Sequence, residues 1–224
     1  MTLRPALVAT ALLAAVACER SPYTGRMQSM AFDEDEAIAR ADAAATQYRS
    51  RVRLVTDPAT IARVQRVTTR LVDAAKHGPA AARAARLTWN VAVVDDAGTE
   101  VAVLENGAIF PGSALVHMAA NDDELAFPIA RAMAHVLLRH PSERVGRHLL
   151  PFSAAASLGV LPDTGPGTLS ALERSQRDEA DRVGLRLVSA AGFDPERGVA
   201  ILDRLGDGAR ATQLRAELPD RQLP

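Results

Sequence analysis

Two pairs of side chains stand at helical spacing and could act together in polar chemistry. Arg131 and His135 are four residues apart in one predicted helix, and Arg177 and Asp181 are four residues apart in another. Residues at this spacing share one face of a helix. A histidine or a carboxylate can bind a metal ion, but a guanidinium stays protonated and has no lone pair to offer one. The two arginines therefore favour ion pairing over metal coordination.

The other histidines do not complete a metal site at regular spacing. His140 follows His135 by five residues, about 140° around a helix, so the two cannot chelate one ion from a regular helix. We interpret His135 as a hydrogen-bonded core histidine and His140 as the close of its helix. The alternative is a metal site rebuilt from His135, Asp181 and either His117 or Glu179.

The first eighteen residues indicate a lipoprotein signal peptide. Arg4 gives a positive start, and the apolar run over 5–17 is short for a bilayer span but has the length of a secretory core. Cys18 is the only cysteine of the chain and stands at the expected cleavage point, where we expect it to be lipidated. Ordinary cleavage after the A-x-A pattern of 15–17 is the alternative. Glu19 follows Cys18 where an inner-membrane lipoprotein has Asp, which favours the outer membrane, facing the periplasm of a Gram-negative bacterium.

The composition fits one globular domain and argues against binding of nucleic acid. Of the 224 residues, 48% are hydrophobic, which is enough for a sizeable core. The net charge is -1 and only 4% of residues are aromatic. A nucleic-acid binder would need a basic surface or aromatic rings for stacking, so no nucleic-acid partner is expected.

The elements that position the site residues are mainly helices. Helices are predicted over 33–51, from Asp57-Pro58 onward, from an N-cap at Asn121 to about 140, over 169–190 and over 196–205, with a loop over 151–168. Short strands are predicted over 87–94, 101–104 and 108–110, the last two joined by a hairpin turn at 105–107. We expect an α+β chain divided into a signal peptide (1–18), a tether (19–32), a domain (33–206) and a polar tail (207–224).

Several short motifs of this sequence, in the same order, resemble motifs of zinc metallopeptidases of the HtpX and CAAX-prenyl-protease type (peptidase family M48), in particular of their periplasmic lipoproteins. The motifs are S-P-Y-T-G-R at 21–26, D-P with a valine at 57–64, V-V-D-D at 93–96, G-A-I-F at 107–110, A-N-D-D-E-L-A at 120–126, A-H with R-H at 134–140, E-A-D-R-V-G at 179–184 and A-G-F-D-P at 191–195. The resemblance covers nearly all of 20–206. It implies a mainly helical, zincin-like fold with a small sheet and a long active-site helix.

The resemblance also implies which chemistry is missing. Active members carry H-E-x-x-H on the long helix, where two histidines and a glutamate from a later E-x-x-x-D word hold zinc and the intervening glutamate is the general base. Here Arg131 takes the place of the first ligand, Ala132 that of the base and Arg177 that of the third ligand. Only His135 and Asp181 of the two motifs remain. Because the resemblance implies that the two helices lie side by side around the metal, we expect an Arg–Asp cluster to bridge them instead. We therefore expect no bound metal, no cofactor and no catalytic residue.

A binding function is the prediction that remains. The resemblance implies a cleft that takes an extended peptide along an edge strand, here Val101, Ala102, Val103 and Leu104. We expect a catalytically inactive pseudopeptidase, held at the membrane by its lipid, that binds unfolded envelope proteins or an outer-membrane assembly partner. The alternative is an atypical zinc-dependent metalloendopeptidase in envelope protein quality control.

Overall fold

The computed structural model describes residues 17–149 and 171–218. The predicted leader up to residue 16, the loop predicted over 151–168, the start of the helix predicted from 169 and the end of the predicted tail (219–224) lie outside the described residues. The helices are α1 (Glu34–Arg51), α2 (Pro58–Ala75), α3 (Ala81–Arg86), α4 (Ser113–Met118), α5 (Asp122–Leu137), α6 (His140–Leu149), α7 (Ala171–Ala190), α8 (Pro195–Arg204) and α9 (Gly208–Glu217). The strands are β1 (Ala17–Arg20), β2 (Met27–Met30), β3 (Asn90–Val91), β4 (Val101–Val103) and β5 (Ala108–Pro111). The predicted α+β class, mainly helical with a small sheet, is confirmed.

The helix starts predicted from capping residues are confirmed for α2 and α5, and α1, predicted over 33–51, begins one residue later at Glu34. Asp33, Asp57 and Asn121 each accept a hydrogen bond, through the side chain, from the backbone N–H three residues further on. Such a bond satisfies one of the N–H groups that the first helical turn leaves unpaired. The cap at Asn121 thereby fixes where α5 begins, and with it which of its residues face the site.

The three-stranded sheet has the order β3-β5-β4, with β5 in the centre. Strand β3 runs parallel to β5, and β4 runs antiparallel to it. The predicted β4–β5 hairpin is confirmed, and its turn contains Gly107 at φ 90°, a conformation that glycine adopts without steric cost. The strand predicted over 87–94 is shorter, although the N–H groups of Thr88 and Val94 still donate to carbonyls at 106 and 111. Within this sheet β4 is an edge strand.

Helix α5 lies at the centre of the fold and packs against α2, α7, α8 and β4. Its predicted apolar face is buried, as are the alanines on its other sides: Leu125, Ala126, Ile129, Ala130, Met133, Ala134, Val136 and Leu137. A helix that is apolar nearly all round must be covered by its neighbours. After the first turn, the partly exposed positions are Pro128, Arg131 and His135, which form one stripe.

Residues 19–32, predicted as an extended tether, form most of an antiparallel hairpin of β1 and β2, which begins at Ala17 and packs against α6 through β2. Ser29 and Met30 are buried. A Cβ on Gly146 of α6 would lie 2.2 Å from the carbonyl oxygen of Ser29, so only glycine permits this close approach. The side chain of Gln28 donates a hydrogen bond of 2.8 Å to the carbonyl of Leu138. These partners are more than a hundred residues apart in the chain, so the local sequence does not reveal them. The Pro, Gly and Ser residues alone predicted a tether.

The polar tail predicted over 207–224 begins with a helix, α9, that packs against α8. Asp207 caps α9 by accepting a hydrogen bond from the backbone N–H of Arg210. Ala211 and Leu214 are buried, and their spacing of three residues was the available sequence signal for an amphipathic helix. Among the described residues, no helix is both long enough and apolar enough to cross a membrane.

Candidate functional site

A cavity of about 400 Å³ runs along the partly exposed stripe of α5. Helix α5 contributes Arg131, Ala132 and His135 to its wall. Glu100 and Val101, at the start of β4, lie in the same wall, and the end of α8 closes the other side. The structure therefore brings three positions of the degenerate H-E-x-x-H word to one cleft beside the edge strand.

Helices α5 and α7 are bridged by an ion pair at this cleft. The Nε atom of Arg131 lies 3.0 Å from Oδ1 of Asp181, whose side chain is only 2% exposed. The N–H is not directed at that oxygen, which leaves Oδ1 without a hydrogen bond. A Cβ on Gly184 would be 3.0 Å from the backbone nitrogen of Arg131, so the glycine allows the two helices to approach closely. The predicted Arg–Asp bridge between the two helices is present.

The second arginine of the bridge differs from the prediction. Arg210 of α9 donates hydrogen bonds from Nε, at 2.7 Å, and from Nη2 to Oδ2 of Asp181. Burial raises the pKa of Asp181, while the charges of Arg131 and Arg210 oppose that rise. Arg177, four residues before Asp181 on α7, contributes its charge but is not an ion-pair partner. Arg210 was missed because its element was predicted to be a tail.

His140 does not close α5, as predicted, but begins a new helix, and its ring is in direct contact with that of His135. Helix α5 ends at Leu137, Arg139 has a φ of 54°, and a new helix begins at His140. This reversal places Nδ1 of His135 2.9 Å from Nδ1 of His140. The angle of about 140° applied only to an unbroken helix. Pro141 was the sequence signal, because proline favours the first turn of a new helix.

Hydrogen bonding fixes the tautomers of the two histidines. Burial lowers the pKa of both rings, to about 3 for His135, so both are neutral at neutral pH. Nε2 of His140 lies 3.3 Å from a carboxylate oxygen of Glu179, which can only accept, so this nitrogen carries the proton. Nδ1 of His140 is then an acceptor, and His135 must donate to it from Nδ1. Nε2 of His135 therefore carries no proton and keeps its lone pair.

Glu179 joins this histidine pair to the N-terminal hairpin. Its carboxylate accepts hydrogen bonds from Ser21, Thr24 and Arg26, all within the S-P-Y-T-G-R word. Arg26 also pairs with the buried Glu143 of α6, with 2.8 Å between Nη2 and Oε2. Burial raises the pKa of Glu179, but the hydrogen bonds and the charge of Arg26 outweigh it and hold the pKa well below its usual range. The hairpin is thus bound to α6 and α7 by ionised groups.

The residues at the cleft do not fit a zinc ion. Among the described residues, no group of three or more His, Cys, Asp or Glu side chains could hold a metal. His135 keeps a lone pair, but the guanidinium of Arg131 stands one helical turn before it and Asp181 is paired with two arginines. A divalent cation would meet positive charge in place of the missing ligands. The alternative set of His135, Asp181 and His117 or Glu179 is not assembled, since Glu179 contacts His140 instead.

The predicted peptide-binding edge is an edge strand in the structure. The carbonyl of Glu100 accepts from the N–H of Gly112, and the N–H of Leu104 donates to Ala108. Residues 100, 102 and 104 therefore direct their backbone groups to β5. Because hydrogen bonding alternates along an antiparallel strand, the backbone groups of Val101 and Val103 point to the open side. An extended peptide could pair there with two residues of β4.

Acid is expected to destabilise the fold through His135. Its pKa in the folded chain, about 3, is below the ordinary value of 6.5, chiefly because of burial and then because of electrostatic repulsion from His140, when that ring is protonated, and from Arg131. A lowered pKa gives stability that is present above pH 6.5 and is lost as the pH falls toward 3. Between pH 7.5 and 5, the free energy of unfolding should fall by about 2 kcal/mol from this group. Urea unfolding at both pH values measures the change.

Two variants identify the group responsible for this acid effect. In His135→Gln the difference in unfolding free energy between pH 7.5 and 5 should shrink, because the titrating ring is gone. In His77→Gln, which removes an exposed histidine, the difference should be unchanged. An undiminished difference in His135→Gln would show that other groups cause the effect.

The fold is that of a zincin-like metallopeptidase. A long buried helix lines a cleft beside the edge of a small sheet, and polar side chains bridge a second helix to it. The family model described as Peptidase family M48 matches residues 58–218. The chain belongs to this family, so the predicted resemblance is confirmed at the level of the family.

Curated relatives carry peptidase names. The chain is 25% identical over 227 residues to the beta-barrel assembly-enhancing protease of Yersinia pestis, an alignment that covers 90% of this chain and 45% of that protein. It is 26% identical over 159 residues to the mitochondrial metalloendopeptidase OMA1 of Saccharomyces cerevisiae, covering 65% of this chain and 46% of the relative. Over 128 residues it is 30% identical to OMA1 of Schizosaccharomyces pombe, covering 53% and 38%. The chain spans less than half the length of each of these relatives.

Proposed function

We propose that this chain is a catalytically inactive, metallopeptidase-like protein that binds extended segments of other proteins. The observation that carries the proposal is the ion pair between Arg131 and Asp181 at the cleft where the family's ligands would stand. Ala132 in the same wall cannot act as a base, because a methyl group takes up no proton. The cavity and the edge strand β4 nevertheless remain available. The parts that would bind a peptide are kept, and those that would cut it are replaced.

The proposal includes a place in the cell and a class of partner. Cys18 is exposed at the start of β1, so a lipid on its sulfur would not disturb the core. A lipid-anchored protein facing the periplasm from the outer membrane would meet unfolded envelope proteins or an assembly partner there. The relative from Yersinia pestis is named for enhancing beta-barrel assembly, which supports an envelope role. Binding of nucleic acid is not part of the proposal.

An atypical zinc-dependent metalloendopeptidase in envelope protein quality control is the second candidate. The observation that favours it is the chain of contacts from His135 through His140 to Glu179. These contacts leave Nε2 of His135 with a lone pair and connect the ring, through His140, to a carboxylate. Histidine ligands of metal sites are oriented by hydrogen bonds of this kind. These relatives are named as peptidases, which agrees with this candidate.

Zinc content separates the two candidates. The full chain, extracted in detergent and purified without a metal-binding tag, should contain less than about a tenth of an equivalent of zinc by elemental analysis. It should also leave an unfolded protein substrate uncut, with or without a chelator. About one zinc per chain, together with chelator-sensitive cleavage, would replace the first proposal by the second.

A further inference from the structure

The guanidinium of Arg131 has unused donors at the cleft. Its side chain is 33% exposed, and its contact with Asp181 is made through Nε. Within 17–149 and 171–218, its two Nη atoms donate no hydrogen bond. Asp181 does not depend on Arg131 alone, because Arg210 binds its other oxygen. The planar pair of Nη donors is therefore free for a ligand, and this geometry matches both oxygens of a carboxylate.

Positive charge surrounds this end of the cleft. The charges of Arg131, Arg144 and Arg177 all reach His135, where they lower its pKa together with burial, which is the largest cause. His135 itself is neutral and adds no charge. The acids in the cavity wall, Glu100 and Asp207, are both exposed to solvent, where their charges are screened. An anionic group is favoured at the α5 side of the cavity.

The edge of β4 opens onto the same cavity. Val101 lines it, and the backbone groups of Val101 and Val103 point away from β5. Two residues give few backbone hydrogen bonds, and a neutral hydrogen bond is about half as strong as one to a charged group. A peptide bound at so short an edge gains most from a charged end.

We propose that the cleft captures the C-terminal end of an extended polypeptide. The terminal carboxylate binds the free Nη donors of Arg131, and the residues before it pair with Val101 and Val103. This inference rests on the proposed peptide-binding function and names the part of the partner that is recognised. A cleft of this kind differs from one that binds an internal segment of a polypeptide, because only the C-terminal residue has a free backbone carboxylate.

The test compares two pools of short fluorescent peptides with randomised last positions, one ending in a carboxylate and the other in a carboxamide. Fluorescence anisotropy with the detergent-solubilised full chain gives the dissociation constants. The carboxylate pool should bind at least about tenfold more tightly, because the amide loses both charge and one acceptor. Equal binding of both pools overturns the carboxylate inference and leaves the proposed peptide-binding function standing. No binding of either pool overturns both.

Variants assign the contacts. Arg131→Lys keeps a charge beside Asp181 but lacks the planar pair of donors, so the preference for the carboxylate pool should fall several-fold. Arg40→Gln, which removes an exposed arginine of α1, is the matched control and should keep the preference. Val103→Pro removes an N–H on the open side of an edge strand, which tolerates proline, and should weaken both pools alike. An unchanged preference in folded Arg131→Lys and Arg131→Gln would overturn the assignment to Arg131.

Discussion

Arg26→Ala is expected to lower the free energy of unfolding by about 3 to 5 kcal/mol, the loss seen when one partner of a buried ion pair is removed. Arg26 neutralises two carboxylates, Glu143 and Glu179, whose side chains are only 4% and 5% exposed. Neutral donors such as Gln28 and Gln176 bind Glu143 but cannot replace the charge. A typical domain has only about 5 to 15 kcal/mol of stability in total, so the variant should lose a large fraction of it.

Urea unfolding of the full chain measures this loss. Arg40→Ala removes an arginine from an exposed pair with Glu36 and is the matched control, with an expected change below about 1 kcal/mol. Adding Glu179→Gln to Arg26→Ala should recover part of the loss, because it removes one of the two uncompensated charges. A change in Arg26→Ala no larger than in the control would show that the hairpin is not held by this cluster.

The fold was predictable where the physics is local. Asp57 and Asn121 cap helices because their oxygens bind backbone N–H groups three residues away, and Gly107 turns a hairpin because it accepts a positive φ. The bridge between α5 and α7 was predictable from residue types once the family resemblance implied that the two helices are neighbours, since the guanidinium of Arg131 cannot bind a metal and Asp181 is an acidic partner for it. The caps and the turn depend only on residues close in sequence, whereas the bridge also required the family resemblance.

The rest of the site depends on contacts that sequence spacing does not encode. Asp181 is bound by Arg210, 29 residues away, rather than by Arg177, four residues away, although both arginines are chemically equivalent partners. Arg26 meets Glu179 from 153 positions away. The contact between His135 and His140 required a left-handed residue at Arg139, which is rare for arginine. Which of these distant residues come into contact depends on the packing of the whole chain.

The double change Arg131→His with Arg177→Glu is expected to create a zinc site with a dissociation constant of about 1 μM or tighter, whereas the native chain is expected to bind no zinc. The change supplies two ligands beside His135, whose Nε2 already has a free lone pair. It also removes two positive charges that act on His135. One unit charge about 4 Å from another changes the energy by about 4 kcal/mol near a protein surface, and zinc carries two charges. Asp181 stays paired with Arg210, so the fold should tolerate the change.

The matched control is Arg131→His with Arg177→Gln, which removes the same two positive charges but supplies one ligand fewer. Zinc titration followed by a competing chromophoric chelator should show tight binding only in the glutamate variant, because three protein ligands are needed for a site of this type. Equal binding in both variants would mean that the arginine charges alone exclude zinc from the native chain. No binding in either folded variant would mean that the contact with His140 turns His135 away from the cleft, so that the metal site was lost through the orientation of the remaining histidine rather than through the two arginines.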